Sequence, residues 1–321
     1  MTIGSERTAW FRDTFDAVTQ NMELALLGKR HVIRLTLTCL VSEGHLLIED
    51  FPGTGKTMLA RALAGTLEGS HARIQFTPDL LPSDVTGVSV YEQNKGTFNF
   101  HPGPIFHSIV LADEINRASP KTQSALLEVM EEGHVTVDGV SHDVPQPFMV
   151  IATQNPIEQA GTYPLPEAQL DRFLMKTSVG YPGAEATEEL LHDSRVRDRA
   201  ALVKPIMGMD LVRDMSRIAD EVHVDGAVVT YVRKLAEASR GMEHVRLGVS
   251  PRGCLALIRV IKTWAAADGR EYVVPEDVAE LAHPVLSHRL ILDGEAQFRG
   301  VEADQVVDEL LDRVRVPSLR A

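Results

Sequence analysis

The chain has 321 residues, of which 44% are hydrophobic and 24% charged, a balance typical of a globular protein of about two domains rather than of a disordered chain. Its formal net charge of -13 argues against nonspecific binding of DNA or RNA, because such affinity comes mainly from contacts of Lys and Arg with the phosphates. No apolar run reaches the ~20 residues of a membrane span and the N-terminus lacks a signal-peptide core, so we expect a cytoplasmic protein without membrane insertion.

Apolar positions recur at helical spacing between residues 9 and 42 and predict two helices, with Gly28 as the break between them. Five apolar runs of strand length follow. Such runs are typical of strands that are covered on both faces, in a parallel sheet flanked by helices. The predicted strands are 45–50, 72–77, 108–114, 148–154 and 174–180. The predicted fold class of this first part is therefore α/β.

Two hairpins interrupt the predicted sheet. Residues 135–144 place Asp138 and Gly139 between short strands, and Asp-Gly is a strong signal for a two-residue hairpin turn. Residues 89–100 carry a weaker hairpin signal around Asn94–Gly96. Loops tolerate insertions, so spacing alone leaves open whether these hairpins are functional elements or surface insertions.

The pattern changes after residue 184. Helical periodicity recurs in 209–222, 225–240 and 251–267, and Pro275 is placed to start a helix over 274–286. No convincing strand appears in this part. We therefore predict two domains, an α/β domain over 1–184 and an all-helical domain over 185–321, with Pro182 and Gly183 as the hinge.

The stretch "LLIEDFPGTGKT" (46–57) predicts a strand, a tight glycine-rich loop and the start of a helix. Such a loop lets backbone N–H groups converge on phosphate oxygens at the helix N-terminus. Lys56 would then reach the terminal phosphates and the Thr57 hydroxyl would ligate magnesium. The P-loop pattern usually has glycine where this chain has Asp50. The candidate nucleotide-binding residues here are Pro52, Gly53, Thr54, Gly55, Lys56, Thr57 and Met58.

Two carboxylates follow a later predicted strand. "IVLADEIN" ends in Asp113 and Glu114, about 55 residues after the P-loop. Asp113 at the strand's carboxyl end would hold the magnesium through water, and Glu114 would polarise the attacking water as a general base. An isolated Asp-Glu pair is more often a solvated loop, but its position after a P-loop favours catalysis.

Three further polar residues complete the candidate site. Asn155 in "VIATQNP" is predicted to orient the water or contact the γ-phosphate. Arg172 in "PLPEAQLDRF" suits a clamp on the transition state, since its guanidinium is planar and always charged. Arg252 in "GVSPRG" stands at a predicted helix start, where a phosphate contact competes with an ordinary surface role.

The cysteines and histidines predict neither a disulfide nor a zinc site. Cys39 and Cys254 lie far apart within apolar helical patterns and are predicted to be buried, reduced thiols. No histidine has an acidic or cysteine partner at metal-ligand spacing, so we predict no zinc site. Magnesium is the one metal that the sequence implies.

The segments "FPGTGKT", "VLADEINRASPKTQSALLEVMEE", "ATQNP", "PLPEAQLDRFLMK" and "GVSPRG" together resemble the MoxR family of AAA+ ATPases, from about residue 15 to residue 290. The resemblance implies an AAA+ core with a five-stranded parallel sheet and an all-α lid. By this resemblance Lys56 and Thr57 belong to Walker A, and Asp113 and Glu114 belong to Walker B. The resemblance also assigns sensor 1 to Asn155, the arginine finger to Arg172 and sensor 2 to Arg252. The "LLGKRHV" near residue 30 departs from the Gly-Gln pair that the family often has there.

The resemblance also implies a function. It implies ATP and Mg2+ as cofactors, a hexameric ring with ATP at subunit boundaries, hairpins that face a central channel, and a chaperone-like task on a protein client. A partner with a von Willebrand factor A domain is common in the family. Arg172 would lie on the far side of the sheet's strand order from the P-loop, and would therefore serve the neighbouring subunit.

Three alternatives stay open at this point. A helicase-like motor is disfavoured by the net charge and by hairpin tips that hold one lysine and no arginine. A nucleotide-binding scaffold with little turnover is disfavoured by the presence of both Glu114 and Arg172. A chelatase-type subunit is a further relative that the sequence does not separate from the leading hypothesis.

Overall fold

The computed structural model describes residues 4–155, 162–193, 195, 196 and 198–317. Its strands, in chain order, are β1 (Leu46–Glu49), β2 (His71–Gln75), β3 (Gly87–Glu92), β4 (Thr97–Pro102), β5 (Ile109–Asp113), β6 (His134–Val137), β7 (Val140–Asp143), β8 (Met149–Gln154), β9 (Met175–Thr177), β10 (Val245–Leu247) and β11 (Ile291–Leu292).

The helices run along both faces of the main sheet and make up most of the C-terminal part. They are α1 (Ser5–Glu23), α2 (Arg30–Val41), α3 (Lys56–Thr66), α4 (Pro82–Thr86), α5 (Pro120–Glu132), α6 (Glu167–Leu170), α7 (Ala184–His192), α8 (Met209–Asp220), α9 (Gly226–Ser239), α10 (Pro251–Ala267), α11 (Pro275–Leu286), α12 (Gly294–Phe298) and α13 (Ala303–Arg313). Short 3-10 turns span Ile115–Arg117, Arg199–Leu202 and Ser287–Arg289.

A five-stranded parallel sheet in the order β2-β5-β8-β1-β9 forms the centre of the α/β part. Successive residues of a strand point to opposite faces, and both faces here are apolar. Leu46 and Ile48 of β1 join one buried cluster, whereas Leu47 joins the other. This two-sided burial explains why the strands read as continuous apolar runs. The predicted fold class and all five predicted strands are confirmed.

Local signals set the ends of the helices. In α5, the Ser119 side chain accepts a hydrogen bond from the Thr122 N–H and Pro120 takes the first helical position, while Gly133 ends the helix at φ 70°. Both are preferred arrangements, because the cap satisfies a free N–H and glycine has no penalty in the left-handed region. The end of α5 matters for the site because Glu131 lies in its last turn.

Both predicted hairpins are present and touch each other. β3 pairs with β4, and β6 pairs with β7. Asp138 and Gly139 both have positive φ, 51° and 79°, as a tight two-residue turn requires. The rings of Phe100 and His142 stack with centroids 4.0 Å apart. This ring contact joins the two hairpins.

The C-terminal part is mainly helical, as predicted, and α8 to α11 lie where periodicity placed them. One detail differs: β10 and β11 form a small antiparallel ladder. Strands of three and two residues are too short to show a periodic pattern, so the sequence reading missed them. Cys39 is buried as predicted, whereas Cys254 is only half-buried. In the described part of the chain, no helix is long and apolar enough to cross a membrane.

His45 joins the sheet to the last turn of α5. Its Nδ1 accepts a hydrogen bond from the Val150 N–H and its Nε2–H donates to the Met130 carbonyl, both at 3.0 Å. Burial lowers the pKa of His45 to about 4, because an imidazolium loses hydration there, and the hydrogen bond to Met130 only partly opposes this. The ring is therefore neutral in the folded protein near pH 7.

We expect His45 to make the protein acid-sensitive. The unfolded ring titrates near its ordinary pKa of 6.5 and the folded one near 4, so the unfolded state binds more protons between these values. The neutral ring therefore makes its full contribution to the free energy of unfolding above pH 6.5. As the pH drops toward 4 this contribution decreases, by about 2 kcal/mol at pH 5. Urea unfolding at pH 7.5 and pH 5 measures the loss. His45→Asn, which keeps an acceptor for Val150 but does not titrate, should lose less; an equal loss in both proteins would contradict the assignment.

Candidate active site

The P-loop connects β1 to α3 at the carboxyl edge of the sheet. Gly53 and Gly55 have φ of 85° and 101°, which is strained for any residue with a side chain, and Lys56 is the first residue of α3. The free N–H groups of the first turn of α3 therefore open toward the loop, as at other anion-binding helix N-termini. Lys56 Nζ donates to the carbonyl oxygens of Asp50 and Phe51 at 2.9 and 2.8 Å.

A cavity of about 420 Å³ lies over this loop. It brings together residues from the carboxyl ends of four strands, β1, β2, β5 and β8, which is where parallel sheets commonly bind ligands. The predicted site residues that line it are Pro52, Gly53, Gly55, Lys56, Thr57, Met58, Asp113, Glu114 and Asn155. Thr54 lies buried within the loop, with its hydroxyl donating to the Phe51 carbonyl at 3.2 Å.

Asp113 is held by two side chains that the sequence did not single out. The Thr153 hydroxyl donates to Asp113 Oδ1 at 2.6 Å. Arg73 forms an ion pair with Oδ2, also at 2.6 Å. These partners fix the carboxylate at the mouth of the cavity, with 12% of the side chain exposed, where it can face a cation.

Glu114 has a strained backbone, with φ 56° and ψ 50° in the left-handed region. A residue with a Cβ costs roughly 1–2 kcal/mol there, and such strain clusters at functional sites. The Glu114 N–H donates to Thr153 Oγ1 at 2.8 Å, so one threonine positions both acidic residues. The carboxylate accepts from Gln75 Nε2 at 2.8 Å and from Arg117 at 3.0 Å. Glu114 is thus held at the cavity wall by groups from two elements.

The donors in this cavity fit a magnesium nucleotide. Thr57 and Asp113 supply the hard oxygen ligands that Mg2+ prefers, and Mg2+ usually binds through one or two carboxylates together with waters and phosphate oxygens. The residues present therefore suit a cation that arrives with phosphates.

Asp50, the departure from the usual P-loop glycine, is a buried hydrogen-bond acceptor. Its Oδ1 accepts from the Phe51 N–H at 2.8 Å, and its Oδ2 accepts from the N–H groups of Val179 and Gly180 at 2.9 and 2.6 Å. A charged acceptor shared by three N–H groups is a strong local tie. The aspartate therefore connects the start of the P-loop to the segment that leads into the C-terminal helices.

Arg172 and Arg252 lie away from the P-loop cavity and close to each other. Both pair with Glu131, Arg172 at 2.9 Å and Arg252 at 3.3 Å. They line a second cavity of about 290 Å³, which also contains Arg259 and Arg289. None of the residues lining this cavity also lines the P-loop cavity.

The position expected for Arg172 in the sheet was wrong in one respect. β9, which follows Arg172, is the direct neighbour of β1, so the arginine is not remote from the P-loop in strand order. It precedes the amino end of β9, whereas the P-loop follows the carboxyl end of β1. Because the strands are parallel, the separation runs along the strands instead of across the sheet. Arg172 pairs with Glu131 and does not line the cavity over its own P-loop.

Five residues of the site were missed by sequence reasoning: Arg73, Gln75, Arg117, Thr153 and Gln154. Arg73 and Gln75 lie on β2, and β2 reaches Asp113 only because β5 pairs beside it. Thr153 lies next to the predicted strand end and was a visible polar residue in an apolar run. Placing β8 beside β5 in the predicted sheet would have identified it.

Comparison with known proteins gives a consistent result. An ATPase family associated with various cellular activities (AAA) matches residues 45–175, and an AAA lid domain matches residues 237–310. Chaperone MoxR1 of Mycobacterium tuberculosis is 40% identical over 99% of this chain and 86% of its own length. The uncharacterized protein YeaC of Bacillus subtilis is 46% identical over 94% of each chain. A crystal structure from Cytophaga hutchinsonii matches with a TM-score of 0.90 and 37% identity, and covers 98% of each chain.

Proposed function

The chain belongs to the MoxR family of AAA+ ATPases, and from this premise we propose that it hydrolyses ATP in the P-loop cavity and uses that hydrolysis, as a ring, to remodel or mature protein complexes. The observation that carries the ATPase proposal is the convergence of Lys56, Thr57, Asp113, Glu114 and Asn155 on one cavity. We infer that the helical residues 237–310 act as the lid.

Each residue has a chemical task in this proposal. The N–H groups of the P-loop and the Lys56 ammonium bind the phosphates, after Lys56 leaves the carbonyls that it now contacts. Thr57 and Asp113 would hold Mg2+, which would supply charge neutralisation on the β- and γ-phosphates. Glu114 takes a proton from the attacking water, and Asn155 orients that water or the γ-phosphate.

The two arginines are the basis for proposing a ring. Arg172 and Arg252 share Glu131 and line a cavity without P-loop residues. Side chains in that position suit the phosphates of a neighbouring subunit better than those of their own. We therefore propose that both arginines act in trans, with a hexamer as the family-like assembly, and that Glu131 keeps them paired until a neighbour docks.

A protein client is favoured over nucleic acid by the hairpins. Tyr91 and Phe98 form an exposed aromatic pair, 51% and 71% exposed with ring centroids 5.2 Å apart. The only Lys or Arg in the two hairpins, which are described in full, is Lys95, and Glu92 neutralises it at 2.8 Å. Binding to a phosphate backbone needs a basic surface, whereas exposed aromatic residues fit apolar segments of a polypeptide. A partner with a von Willebrand factor A domain stays a proposal that rests on the family.

Lys56→Ala is expected to abolish tight ATP binding while the protein stays folded. The ammonium that meets the β- and γ-phosphates is lost, and the buried sheet does not depend on it. Titration with a fluorescent ATP analogue measures the affinity, and circular dichroism measures the fold. Lys95→Ala removes an equally charged amine from a hairpin and should leave affinity unchanged. Normal ATP affinity in Lys56→Ala would remove the P-loop assignment and with it the proposed function.

A further inference from the structure

Arg289 is a buried arginine of the lid whose guanidinium reaches into the α/β part. It ends the 3-10 turn that follows α11, and only 3% of its side chain is exposed. Its Nε donates to Asp171 Oδ1 at 2.7 Å, its Nη2 to the Phe173 carbonyl at 2.7 Å, and its Nη1 to the Leu174 carbonyl at 3.1 Å. Within the lid, Nη1 also donates to the Val285 carbonyl.

These contacts lie on both sides of Arg172. Arg289 binds the residue before Arg172 and the two residues after it, while the Arg172 side chain extends to Glu131. From the opposite side, the Leu174 N–H donates to the His45 carbonyl at 2.9 Å. The backbone that carries the candidate finger is thus held between β1 and a lid guanidinium.

The chemistry of this contact calls for arginine. The planar guanidinium offers five donors in a fixed fork, so one group can satisfy a carboxylate and several carbonyls together. A lysine at the same place has one compact charged nitrogen and reaches fewer of these acceptors. With lysine at position 289 the positive charge beside Asp171 would remain, but some of the hydrogen bonds that fix the backbone of residues 171–174 would be lost.

We propose that Arg289 is a positioning residue that fixes Arg172 for the neighbouring active site and transmits the position of the lid to it. The proposal rests on the proposed function of Arg172 as a finger in trans. Because the guanidinium is anchored to α11 through Val285, a shift of this part of the lid moves residues 171–174 with it. Nucleotide in one subunit can then influence hydrolysis in the next.

Arg289→Lys is the test, read as steady-state ATPase kinetics and ATP affinity. Since a misplacement of about 1 Å can cost ~10²-fold, we expect kcat to fall roughly a hundredfold while KM and ATP affinity stay near those of the wild type, because residues 171–174 do not line the P-loop cavity. The double variant Arg289→Lys, Arg172→Ala should be no slower than Arg172→Ala alone, because both changes act on one element.

Arg270→Lys is the matched control. Arg270 is a second lid arginine, partly buried with 23% of its side chain exposed, and it donates two hydrogen bonds of 2.7 and 2.6 Å to Asp277 instead of contacting residues 171–174. We expect both Arg270→Lys and Arg289→Lys to lower the melting temperature, but only Arg289→Lys to lower kcat. Asp171→Asn keeps an oxygen for Arg289 Nε but removes the charge, and tests the same contact if Arg289→Lys fails to fold.

The outcomes separate this inference from the proposed function. If Arg172→Ala keeps full activity, the finger itself is wrong. If Arg172→Ala is inactive while folded Arg289→Lys and Asp171→Asn keep wild-type kcat, the positioning role is overturned and the finger stands. A double variant that loses activity multiplicatively, or an equal loss of kcat in Arg270→Lys, would likewise reduce Arg289 to a stabilising role.

Discussion

Glu114→Gln is expected to bind ATP and to hydrolyse it at least about a hundredfold more slowly than the wild type, since a general base contributes ~10² to 10⁴ in rate. The amide is the same size as the carboxylate and can still pair with Gln75 and Arg117, which now hold Glu114 at 2.8 and 3.0 Å. It cannot accept a proton from water. Release of phosphate measures turnover, and binding of a fluorescent ATP analogue measures affinity.

Glu49→Gln is a suitable control for this variant. Glu49 ends β1, which is separated from β5 by β8, and it pairs with Lys176 outside the P-loop cavity. Removing its charge should leave turnover unchanged, so a general effect of lost acidic charge at this edge of the sheet can be excluded. If Glu114→Gln turns over ATP like the wild type, the base lies elsewhere, and the strained backbone of Glu114 needs another explanation.

The fold was predictable because its strongest signals are local. Burial on both faces makes each strand of the sheet a continuous apolar run, and β5 is buried along its whole length. Ser119 with Pro120, and Ser250 with Pro251, mark helix starts by side-chain capping that any helix would need. The ladder of β10 and β11 was not predictable, because its pairing joins residues more than forty positions apart with no local pattern.

The nucleotide site was predictable to the extent that it lies on single segments. Asp113 ends β5, Glu114 follows it, and Lys56 and Thr57 lie just after the loop that leaves β1. A parallel sheet gathers such carboxyl ends along one edge. Gln75 could not be found in this way, since its role depends on β2 pairing with β5. The roles predicted for these residues stay predictions, which measurements of ATP binding and hydrolysis test.

The arrangement of arginines could not be read from the sequence at all. Arg172, Arg252 and Arg289 are separated by 80 and 37 positions in the chain, and Glu131, to which the first two bind, carried no signal of its own. They meet because Arg252, at the start of α10, reaches Glu131 in the last turn of α5, and because α11 packs against β9. That packing is a tertiary property, in which the lid and the sheet domain jointly form the second cavity.

Arg172→Ala is expected to reduce ATP hydrolysis by a factor of ~10³ to 10⁵, the range measured for arginine fingers, without loss of ATP binding. The guanidinium would stabilise charge that develops on the transferred phosphate of the neighbouring subunit. Because Arg172 does not line its own P-loop cavity, the loss should be repairable by another subunit. Mixing Arg172→Ala with Glu114→Gln under conditions of subunit exchange should raise activity above both pure samples.

The reason is that mixing rebuilds complete sites. An Arg172→Ala subunit retains Glu114, and a Glu114→Gln neighbour supplies Arg172. Mixing Arg172→Ala with the double variant Arg172→Ala, Glu114→Gln provides no intact Arg172, so the ATPase activity of this control should stay as low as that of the pure variants. If a fluorescent label confirms subunit exchange and the ATPase activity of the first mixture also stays as low as that of the pure variants, Arg172 acts in its own subunit or not at all. The ring mechanism then loses its main support.

The same method decides where Arg252 acts. The shared contact with Glu131 favours a model in which Arg172 and Arg252 of one subunit both act in the active site of the next. In that case, when Arg172→Ala is mixed with Arg252→Ala, every subunit lacks one of the two arginines that it supplies to its neighbour. Activity should then stay low. If Arg252 instead serves its own ATP, an Arg172→Ala subunit with intact Arg252 can borrow Arg172 from its neighbour, and activity should rise. Recovery in this mixture would therefore require the lid to swing Arg252 away from Glu131 and toward the P-loop of its own chain.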